Sequence, residues 1–393
     1  MINRHLSEIL TSVIKKMPVI TLTGPRQSGK TTLVKKCFGD FTYLNLEETD
    51  KKEIALTDPR LFFEIYKGNL IIDEVQNVPD IFSWVQVITD SGIGNRKFVL
   101  TGSQNFLLLE RISQSLAGRS AILHLFPFSM EELKNTTFEL KYYKDYVFKG
   151  FYPRIYDHDL NPVRWLDDYL VSYIERDVRS ILNIGDLIQF QRFVRICAGR
   201  IGQLVNFSQI GNELGISYHT VQKWLSVLES SFIVFRLQPW FSNYNKRIIK
   251  TSKLYFYDTG LACNLLGIRG SDEVNIHFMN GALFENLIIS ELAKAFYNAG
   301  QKPSLYFWRD NSGNEIDCLI ESGQKLIPVE IKSGTTFTGD WLKGIRFFQK
   351  LSGNVNPENS FLIYGGLENQ IRSDCNVISW KDAVENIKRL SLK

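Results

Sequence analysis

An apolar segment, a glycine-rich loop and a helix-forming segment follow one another early in this chain, and this succession most constrains its fold. Residues 18–23 predict a short buried strand, and residues 30–37 predict the helix after it. The spacing Gly-x-x-x-x-Gly-Lys-Thr between them is typical of a loop whose backbone N–H groups surround phosphate oxygens. We therefore expect an α/β fold with a phosphate-binding loop (P-loop) beside a parallel sheet. The candidate nucleotide-binding residues of the P-loop are Gly24, Pro25, Arg26, Gln27, Ser28, Gly29, Lys30, Thr31 and Thr32.

Two side chains at the end of the P-loop carry its expected chemistry. Lys30 is expected to reach the β- and γ-phosphates of a nucleotide and to act in catalysis, and the Thr31 hydroxyl is expected to hold Mg²⁺. The pattern predicts a nucleotide-binding protein that uses magnesium.

Two other predicted strands end in polar residues. Asp73 and Glu74 follow an apolar run, so Asp73 is expected to hold Mg²⁺ and Glu74 to orient or deprotonate the attacking water. A third strand, residues 97–101, leads to Ser103 and Gln104, either of which could sense the γ-phosphate. Ligands of open parallel sheets bind at the carboxyl ends of the strands, so these residues are expected to meet at the P-loop.

Several segments taken in order carry a resemblance that spans nearly the whole chain. They are the P-loop, Asn45-Leu46-Glu47, Ile71-Ile72-Asp73-Glu74-Val75-Gln76, Leu100-Thr101-Gly102-Ser103 and Ser115-Leu116-Ala117-Gly118-Arg119. This order resembles a group of prokaryotic AAA-type ATPases that carry a C-terminal domain of unknown function. The resemblance implies ATP and Mg²⁺ as cofactors, ATP hydrolysis, and assembly as a homo-oligomeric ring.

In such rings an arginine of one subunit completes the site of its neighbour. Arg119 is the first candidate for this catalytic arginine, because it follows the third strand closely. The alternative is that Arg119 is structural and caps a helix. Arg176 and Arg179 are lesser candidates, since charges on such a helix are usually solvated or paired locally.

The middle segment has the layout of a helix-turn-helix. Residues 207–225 predict two short helices, with Ser208 and Ser217 as their N-caps and Gly215 ending the first. The exposed face of the second helix is expected to carry Tyr218, His219, Gln222 and Lys223, and the wing after it to add the cations Arg236, Lys246, Arg247, Lys250 and Lys253. This winged-helix pattern indicates a DNA contact or a protein-docking module.

The last third of the chain predicts a helix over residues 281–298, strands over 304–309, 315–321 and 325–332, a helix over 341–351 and a strand over 360–364. Residues two apart on a strand share a face, so Glu330 and Lys332 are expected to point the same way, with Asp317 beside them. Two carboxylates can hold metal over a scissile phosphate, with Glu285 assisting and Lys332 placing the water or stabilising the developing charge. Glu315 is an alternative ligand to Asp317.

This arrangement is similar to the PD-(D/E)xK, or restriction-endonuclease-like, nuclease fold. Asp317, Glu330 and Lys332 match its motif, although Ile316 stands where the family has proline. The resemblance implies catalytic roles for these three residues and metal binding by Glu285, Asp317 and Glu330. Without cleavage, the same residues could serve binding alone.

Composition adds limits to this interpretation. The 393 residues, of which 44% are hydrophobic, suit several soluble domains, and the net charge of +4 is too small to indicate nucleic acid by itself. We expect an AAA-type domain with a helical lid over residues 1–185, a winged helix over 186–250 and a nuclease-like α/β domain over 251–393. Five scattered cysteines and the lack of a signal or membrane-spanning segment predict a cytoplasmic protein.

The resulting hypothesis is a P-loop ATP hydrolase coupled to DNA binding or processing. The alternative is a nucleotide-gated regulatory or protein-interaction switch that cuts nothing.

Overall fold

The computed structural model describes residues 2–92, 95–103, 115–173, 178, 187–241, 251–353 and 355–391. The predicted candidates Gln104, Arg176, Arg179, Lys246, Arg247 and Lys250 lie outside the described residues. The chain divides into two compact units. The first unit contains Met1–Phe128, Ser230–Phe232 and Tyr297–Gln301, and the second contains Ser129–Glu229, Ile233–Phe296 and Lys302–Lys393.

The first unit is a parallel α/β sheet, as predicted. Its helices are α1 (Leu6–Lys16), α2 (Lys30–Cys37), α3 (Thr49–Thr57), α4 (Pro59–Ile65) and α5 (Ile81–Ser91). Its strands are β1 (Val19–Thr23), β2 (Thr42–Asn45), β3 (Leu70–Asp73), β4 (Phe98–Gly102) and β5 (Ser120–His124). The strands pair in parallel in the order β2-β3-β4-β1-β5.

Apolar side chains cover both faces of this sheet. Ile20 and Ile71 pack with helices α1 and α2 on one face, and Leu70 and Leu100 pack with residues of α3, α4 and α5 on the other. Burial on both faces explains why every residue of β1, β3 and β4 is buried, rather than every second one. Parallel pairing then places the ends of β1, β3 and β4 along one edge, where the P-loop begins.

The second unit contains helices and a mixed sheet. Its helices are α6 (Met130–Leu133), α7 (Tyr143–Lys149), α8 (Pro153–Asp157), α9 (Pro162–Tyr173), α10 (Leu187–Ala198), α11 (Phe207–Leu214), α12 (Tyr218–Ser230), α13 (Thr259–Leu265), α14 (Ser271–Ile276), α15 (Asn280–Asn298), α16 (Lys343–Ser352) and α17 (Ala383–Ser391). Its strands are β6 (Val234–Pro239), β7 (Lys253–Phe256), β8 (Leu305–Arg309), β9 (Glu315–Ser322), β10 (Lys325–Lys332), β11 (Phe361–Tyr364), β12 (Gln370–Ile371) and β13 (Asn376–Ser379). These strands join in the order β12-β13-β11-β10-β9-β8-β6-β7.

Helices α11 and α12 form the predicted pair of short helices. Gly215 ends α11 in the left-handed conformation, and the Ser217 hydroxyl accepts from the Thr220 N–H at 3.1 Å. The prediction for Ser208 is wrong: α11 begins at Phe207, two residues before the start that a Ser208 cap requires, and the side chain of Asn206 caps it by accepting from the Gln209 N–H. An Asn before the first helical residue satisfies the free N–H that Ser208, already inside the helix, cannot reach.

The element order predicted for the last third of the chain is confirmed, with α15 followed by β8, β9, β10, α16 and β11. Strands β8, β9 and β10 are antiparallel neighbours, whereas β11 runs parallel to β10. The hairpin of β6 and β7 joins this sheet, because β6 pairs with β8. The predicted domain boundary at residue 250 therefore falls between two paired strands, and the three predicted domains stay a prediction.

No helix in the described ranges is long and apolar enough to cross a membrane.

Candidate functional sites

The P-loop has a backbone path that only glycine allows at its two ends. Gly24 has φ +151°, and a Cβ there would lie 2.0 Å from the backbone oxygen of Leu125. Gly29 has φ +91° at the start of α2. Both angles lie in the region that favours glycine, so the sequence pattern and the backbone geometry have the same cause.

Lys30 lies over the P-loop with little exposure to solvent. Its Nζ donates to the carbonyl oxygens of Gly24 at 2.9 Å and Pro25 at 2.8 Å. The hydroxyl of Ser28 is buried and has no hydrogen-bond partner among the described residues. A buried ammonium and an unsatisfied buried hydroxyl at a helix N-terminus fit the phosphate groups of a nucleotide.

Four donors converge on the carboxylate of Asp73 at the end of β3. Oδ2 accepts from the hydroxyls of Thr31 at 2.7 Å and Tyr43 at 2.8 Å. Oδ1 accepts from the Thr101 hydroxyl and from the Glu74 N–H. Asp73 is 3% exposed, so these contacts hold a buried carboxylate against the first turn of α2. A hydroxyl and a carboxylate so placed are a ligand pair suited to Mg²⁺.

Glu74 follows Asp73 in the left-handed conformation, with φ 55°. Its Oε2 accepts from the side-chain amide of Gln76. Burial raises the pKa of Glu74, while the charge of Lys30 and the Gln76 hydrogen bond act in the opposite direction. A half-buried carboxylate with a raised pKa beside the P-loop suits a general base.

Ser103 lies at the end of β4, and its buried hydroxyl has no hydrogen-bond partner within the described ranges. An unsatisfied hydroxyl at this edge fits the predicted sensor role, which stays a prediction.

Arg119 is paired within its own chain. Its Nε and Nη2 contact the Asp90 carboxylate at 2.5 and 3.0 Å, and Nη1 donates to the carbonyl of Ala117. The guanidinium is 36% exposed, so the pair lies at the surface. The catalytic role of Arg119 stays a prediction and requires this pair to open.

In the second unit, Asp317, Glu330 and Lys332 come together as predicted from their strands. Lys332 Nζ lies 2.6 Å from Glu330 Oε1 and 3.4 Å from Asp317 Oδ2. The Asp317 Oδ2 also accepts from the Ile331 N–H at 2.8 Å. This contact links β9 and β10 past Val329 and Cys318, the last residues that pair in their antiparallel register.

Glu285 belongs to the same group of charges through Lys253. The Lys253 Nζ lies 3.6 Å from Glu285 Oε1 and also contacts Glu315. The Tyr255 hydroxyl donates to Glu285 Oε1 at 2.5 Å. The predicted place of Lys253 on an exposed wing is therefore wrong: it is 5% exposed because β7 turns it toward these carboxylates. Arg236 also differs from the prediction, since it pairs through two nitrogens with Glu229.

Acidic groups outnumber lysines in this carboxylate cluster, which we define as Glu285, Glu315, Asp317 and Glu330 with Lys253 and Lys332. Burial and the charge of Asp317 raise the pKa of Glu330 and of Glu285. Burial lowers the pKa of Lys332, but the charges of Asp317 and Glu330 outweigh it and the net shift is upward. The cluster therefore favours an added proton or cation.

Glu330 Oε2 is buried and has no hydrogen-bond partner in the described part of the chain. No group of three His, Cys, Asp or Glu side chains among the described residues is arranged to hold a metal ion. The metal-binding roles of Glu285, Asp317 and Glu330 stay predictions.

Three family models match successive parts of the chain. Residues 16–134 match an AAA domain. These residues form an AAA-type P-loop ATPase domain. Residues 140–272 match a domain of unknown function (DUF8612), and residues 280–383 match another (DUF4143). The AAA domain thus contains the P-loop, Asp73, Glu74 and Arg119.

The similarity between this chain and its relatives extends beyond the AAA domain. An uncharacterised protein of Mycobacterium tuberculosis is 29% identical over 336 residues, which cover 85% of this chain and 74% of that protein. An uncharacterised protein of Haemophilus influenzae is 25% identical over 348 residues, covering 79% and 81%. Among solved structures, the Walker-type ATPase PABY2304 of Pyrococcus abyssi is 16% identical, with a TM-score of 0.45 over 66% of this chain and 94% of that one.

Three residues at the P-loop site of the AAA domain were missed by the sequence prediction. Tyr43 and Thr101 lie near strand ends, where a search for hydroxyl groups beside Asp73 could have found them. Arg4 precedes the matched segment and donates to the carbonyls of Ser28 at 2.9 Å and Phe126 at 2.6 Å. No local pattern indicates Arg4, because its partners are distant in the sequence.

Proposed function

We propose that this chain binds ATP with Mg²⁺ at the P-loop and hydrolyses it. The convergence of Thr31, Tyr43 and Thr101 on Asp73, directly beside Lys30, supports this proposal most strongly. Bound Mg²⁺ would draw charge from the phosphates, with Thr31 and Asp73 as its protein ligands. Lys30 would neutralise the phosphate charge where it accumulates.

Glu74 would accept a proton from the attacking water. The oxygen of that water forms the new bond to the γ-phosphorus as the bond to the β-phosphate bridging oxygen breaks, which leaves ADP and inorganic phosphate. Burial serves this step, because it keeps Glu74 a stronger base than an exposed glutamate.

The test is ATP binding by calorimetry together with phosphate release. Lys30→Ala is expected to abolish binding, and Glu74→Gln to keep binding while lowering turnover about 10²- to 10⁴-fold. Lys36→Ala, on the exposed side of the same helix, is the matched control. Turnover by Glu74→Gln at the wild-type rate would contradict the assignment of the base.

A second proposed activity is metal-dependent cleavage of DNA in a nuclease-like domain. The contacts of Lys332 with Glu330 and Asp317, and the unpartnered Oε2 of Glu330, favour it. Incubation of plasmid DNA with Mg²⁺ or Mn²⁺ is expected to give nicks that Lys332→Ala removes. Lys325→Ala, at the exposed start of the same strand, is the control.

We also propose that α11, α12 and the β6–β7 hairpin act as a winged helix on DNA. Tyr218, His219, Gln222 and Lys223 are exposed on α12, as this role requires. Loss of the Lys223 charge is expected to weaken DNA binding uniformly across sequences. The slope of the logarithm of the binding constant against the logarithm of the salt concentration is expected to become shallower by about one.

These activities separate an ATPase that processes DNA from a nucleotide-gated switch. If ATP changes the assembly of the chain into a homo-oligomeric ring, with Arg119 reaching a neighbouring site, while neither metal supports cleavage, the switch is the better description.

A further inference from the structure

A cavity of about 820 Å³ opens in the second unit, beside the ends of β10 and β11. Aromatic rings form much of its wall, with Tyr143, Phe337, Tyr364 and Trp380 among the lining residues. Tyr143 and Trp380 pack edge to face, so this part of the wall is rigid.

The cavity lies next to the carboxylate cluster. Lys332 and Tyr364 are register partners in the parallel pair β10–β11, so their side chains leave the same face of the sheet. The Gly365 N–H, which follows on the cavity wall, donates to the Lys332 carbonyl at 3.1 Å. A ligand in the cavity would therefore lie on the face of the sheet from which the Lys332 side chain leaves, next to its register partner Tyr364.

Two consecutive glycines keep this wall in place. A Cβ on Gly365 would lie 2.3 Å from the Ser333 carbonyl oxygen, and a Cβ on Gly366 would lie 2.1 Å from the Tyr364 ring. Any side chain at either position would displace the backbone or the ring.

The polar groups of the cavity are mostly uncharged. Among the described residues, its lining carries one cation, Lys144, which is paired with Asp272, and one carboxylate, Glu368. The side chain of Asn275 is exposed and makes no hydrogen bond within the described residues. Gln370 accepts from Arg372 through Oε1, which leaves its amide N–H groups available. Such a lining suits a flat, neutral group with hydrogen-bonding edges better than it suits a phosphate.

We propose that this cavity binds one unpaired nucleobase of a nucleic acid whose backbone passes Glu330 and Lys332. Tyr142 and Phe337 are the lining rings among the described residues that are not buried, and such rings stack on any base face, while side-chain amides pair with base edges. The base of a nucleotide lies close to its own phosphate, which matches a cavity adjacent to the carboxylate cluster. This inference rests on the nuclease-like part of the proposed function and adds a preference for single-stranded or locally unpaired substrate.

The test uses the full chain and a short single-stranded oligonucleotide that carries the fluorescent base 2-aminopurine, with Ca²⁺ replacing Mg²⁺ to suppress cleavage. Stacking is expected to quench the fluorescence. Phe337→Ala is expected to weaken binding about tenfold, as loss of one base–aromatic contact does. Phe278→Ala is the matched control, because this ring is 86% exposed and lies outside the cavity. Asn275→Ala, a change at an exposed residue, gives a second and smaller loss without risk to the core.

Two results would overturn the proposal. One is equal affinity of the wild type for the oligonucleotide, for an abasic version and for the fully paired duplex. The other is a bound oligonucleotide whose 2-aminopurine fluorescence is not quenched and which an aromatic peptide displaces. That result would assign the cavity to a protein partner. Cleavage with Mg²⁺ is measured separately. Quenching without cleavage would remove the nuclease proposal alone, and cleavage without quenching would remove the base-binding proposal alone.

Discussion

The hydroxyl of Tyr43 lies 2.8 Å from Oδ2 of Asp73 and donates to it. Burial and the charge of Asp73 raise the pKa of Tyr43, so this hydroxyl keeps its proton and remains a donor. The contact ties the edge strand β2 to the carboxylate that we propose as a ligand of Mg²⁺, and it makes Tyr43 a positioning residue of the site.

Tyr43→Phe is therefore expected to raise the Mg²⁺ concentration needed for half-maximal ATPase activity by about tenfold, because a hydrogen bond to a charged group contributes about 1.5–3 kcal/mol. The ring that packs under Lys35 remains, so the free energy of unfolding should fall by no more than this hydrogen bond contributes. A magnesium titration at saturating ATP measures the shift. Tyr142→Phe, at an exposed tyrosine, is the control. An unchanged magnesium dependence would show that Tyr43 has no part in positioning Asp73.

The P-loop backbone predicts a sharp difference between two glycines of the first unit. Gly24→Ala should abolish ATP binding, because the added Cβ would meet the Leu125 carbonyl oxygen at 2.0 Å and the angle is strained for alanine. Gly39→Ala should leave binding intact, since its Cβ would find only the Lys35 carbonyl at 3.8 Å. Calorimetry with ATP and Mg²⁺, after a check of folding by circular dichroism, distinguishes the two. Tight binding by Gly24→Ala would contradict the loop geometry.

The ATPase rate should depend on pH through Glu74. A general base acts when deprotonated, so the rate should rise with pH through its pKa, which burial places above that of an ordinary glutamate. In a plot of turnover number against pH, the rise on the acid side should therefore lie at a higher pH than the ordinary glutamate pKa of 4.5. Glu74→Gln should show no such rise in its residual rate. An identical rise in that variant would assign the titration to another group.

The carboxylate cluster predicts that stability falls as pH rises. Glu330 has an ordinary pKa of 4.5 when unfolded and about 8 when folded, so the folded state binds more protons between these values. Stability is then lost as pH rises through that window. Urea unfolding across the window should show this slope, and Glu330→Gln should flatten it. Glu64→Gln, at an exposed pair in the first unit, should not. A stability that instead increased over the same range would contradict the assignment of these charges.

Local sequence patterns predicted those site residues whose positions are set by the residues next to them in the chain. The P-loop glycines, Asp73 and Glu74 follow from a strand, a turn and a helix in succession, and Glu330 and Lys332 share a face by strand periodicity alone. Lys253 could not be predicted in the same way. Its burial depends on the pairing of β7 with β6 and on α15 bringing Glu285 beside it, contacts between residues far apart in the chain.

The pair of Arg119 and Asp90 allows a structural arginine to be distinguished from a catalytic one. Solvent screens an exposed ion pair, so removing either partner should change stability little and by similar amounts. If Arg119 serves a neighbouring subunit, Arg119→Ala should lower turnover about 10³- to 10⁵-fold. Asp90→Ala, which frees the same guanidinium, should keep or raise it.

The measurement is ATPase rate at protein concentrations above and below the point of assembly, with mass determined at each. A catalytic arginine predicts that Lys30→Ala subunits, which lack a working P-loop, restore activity to Arg119→Ala subunits when the two are mixed, because each supplies what the other lacks. Equal and modest losses in Arg119→Ala and Asp90→Ala, with no recovery on mixing, would show that Arg119 only ties its own loop to α5.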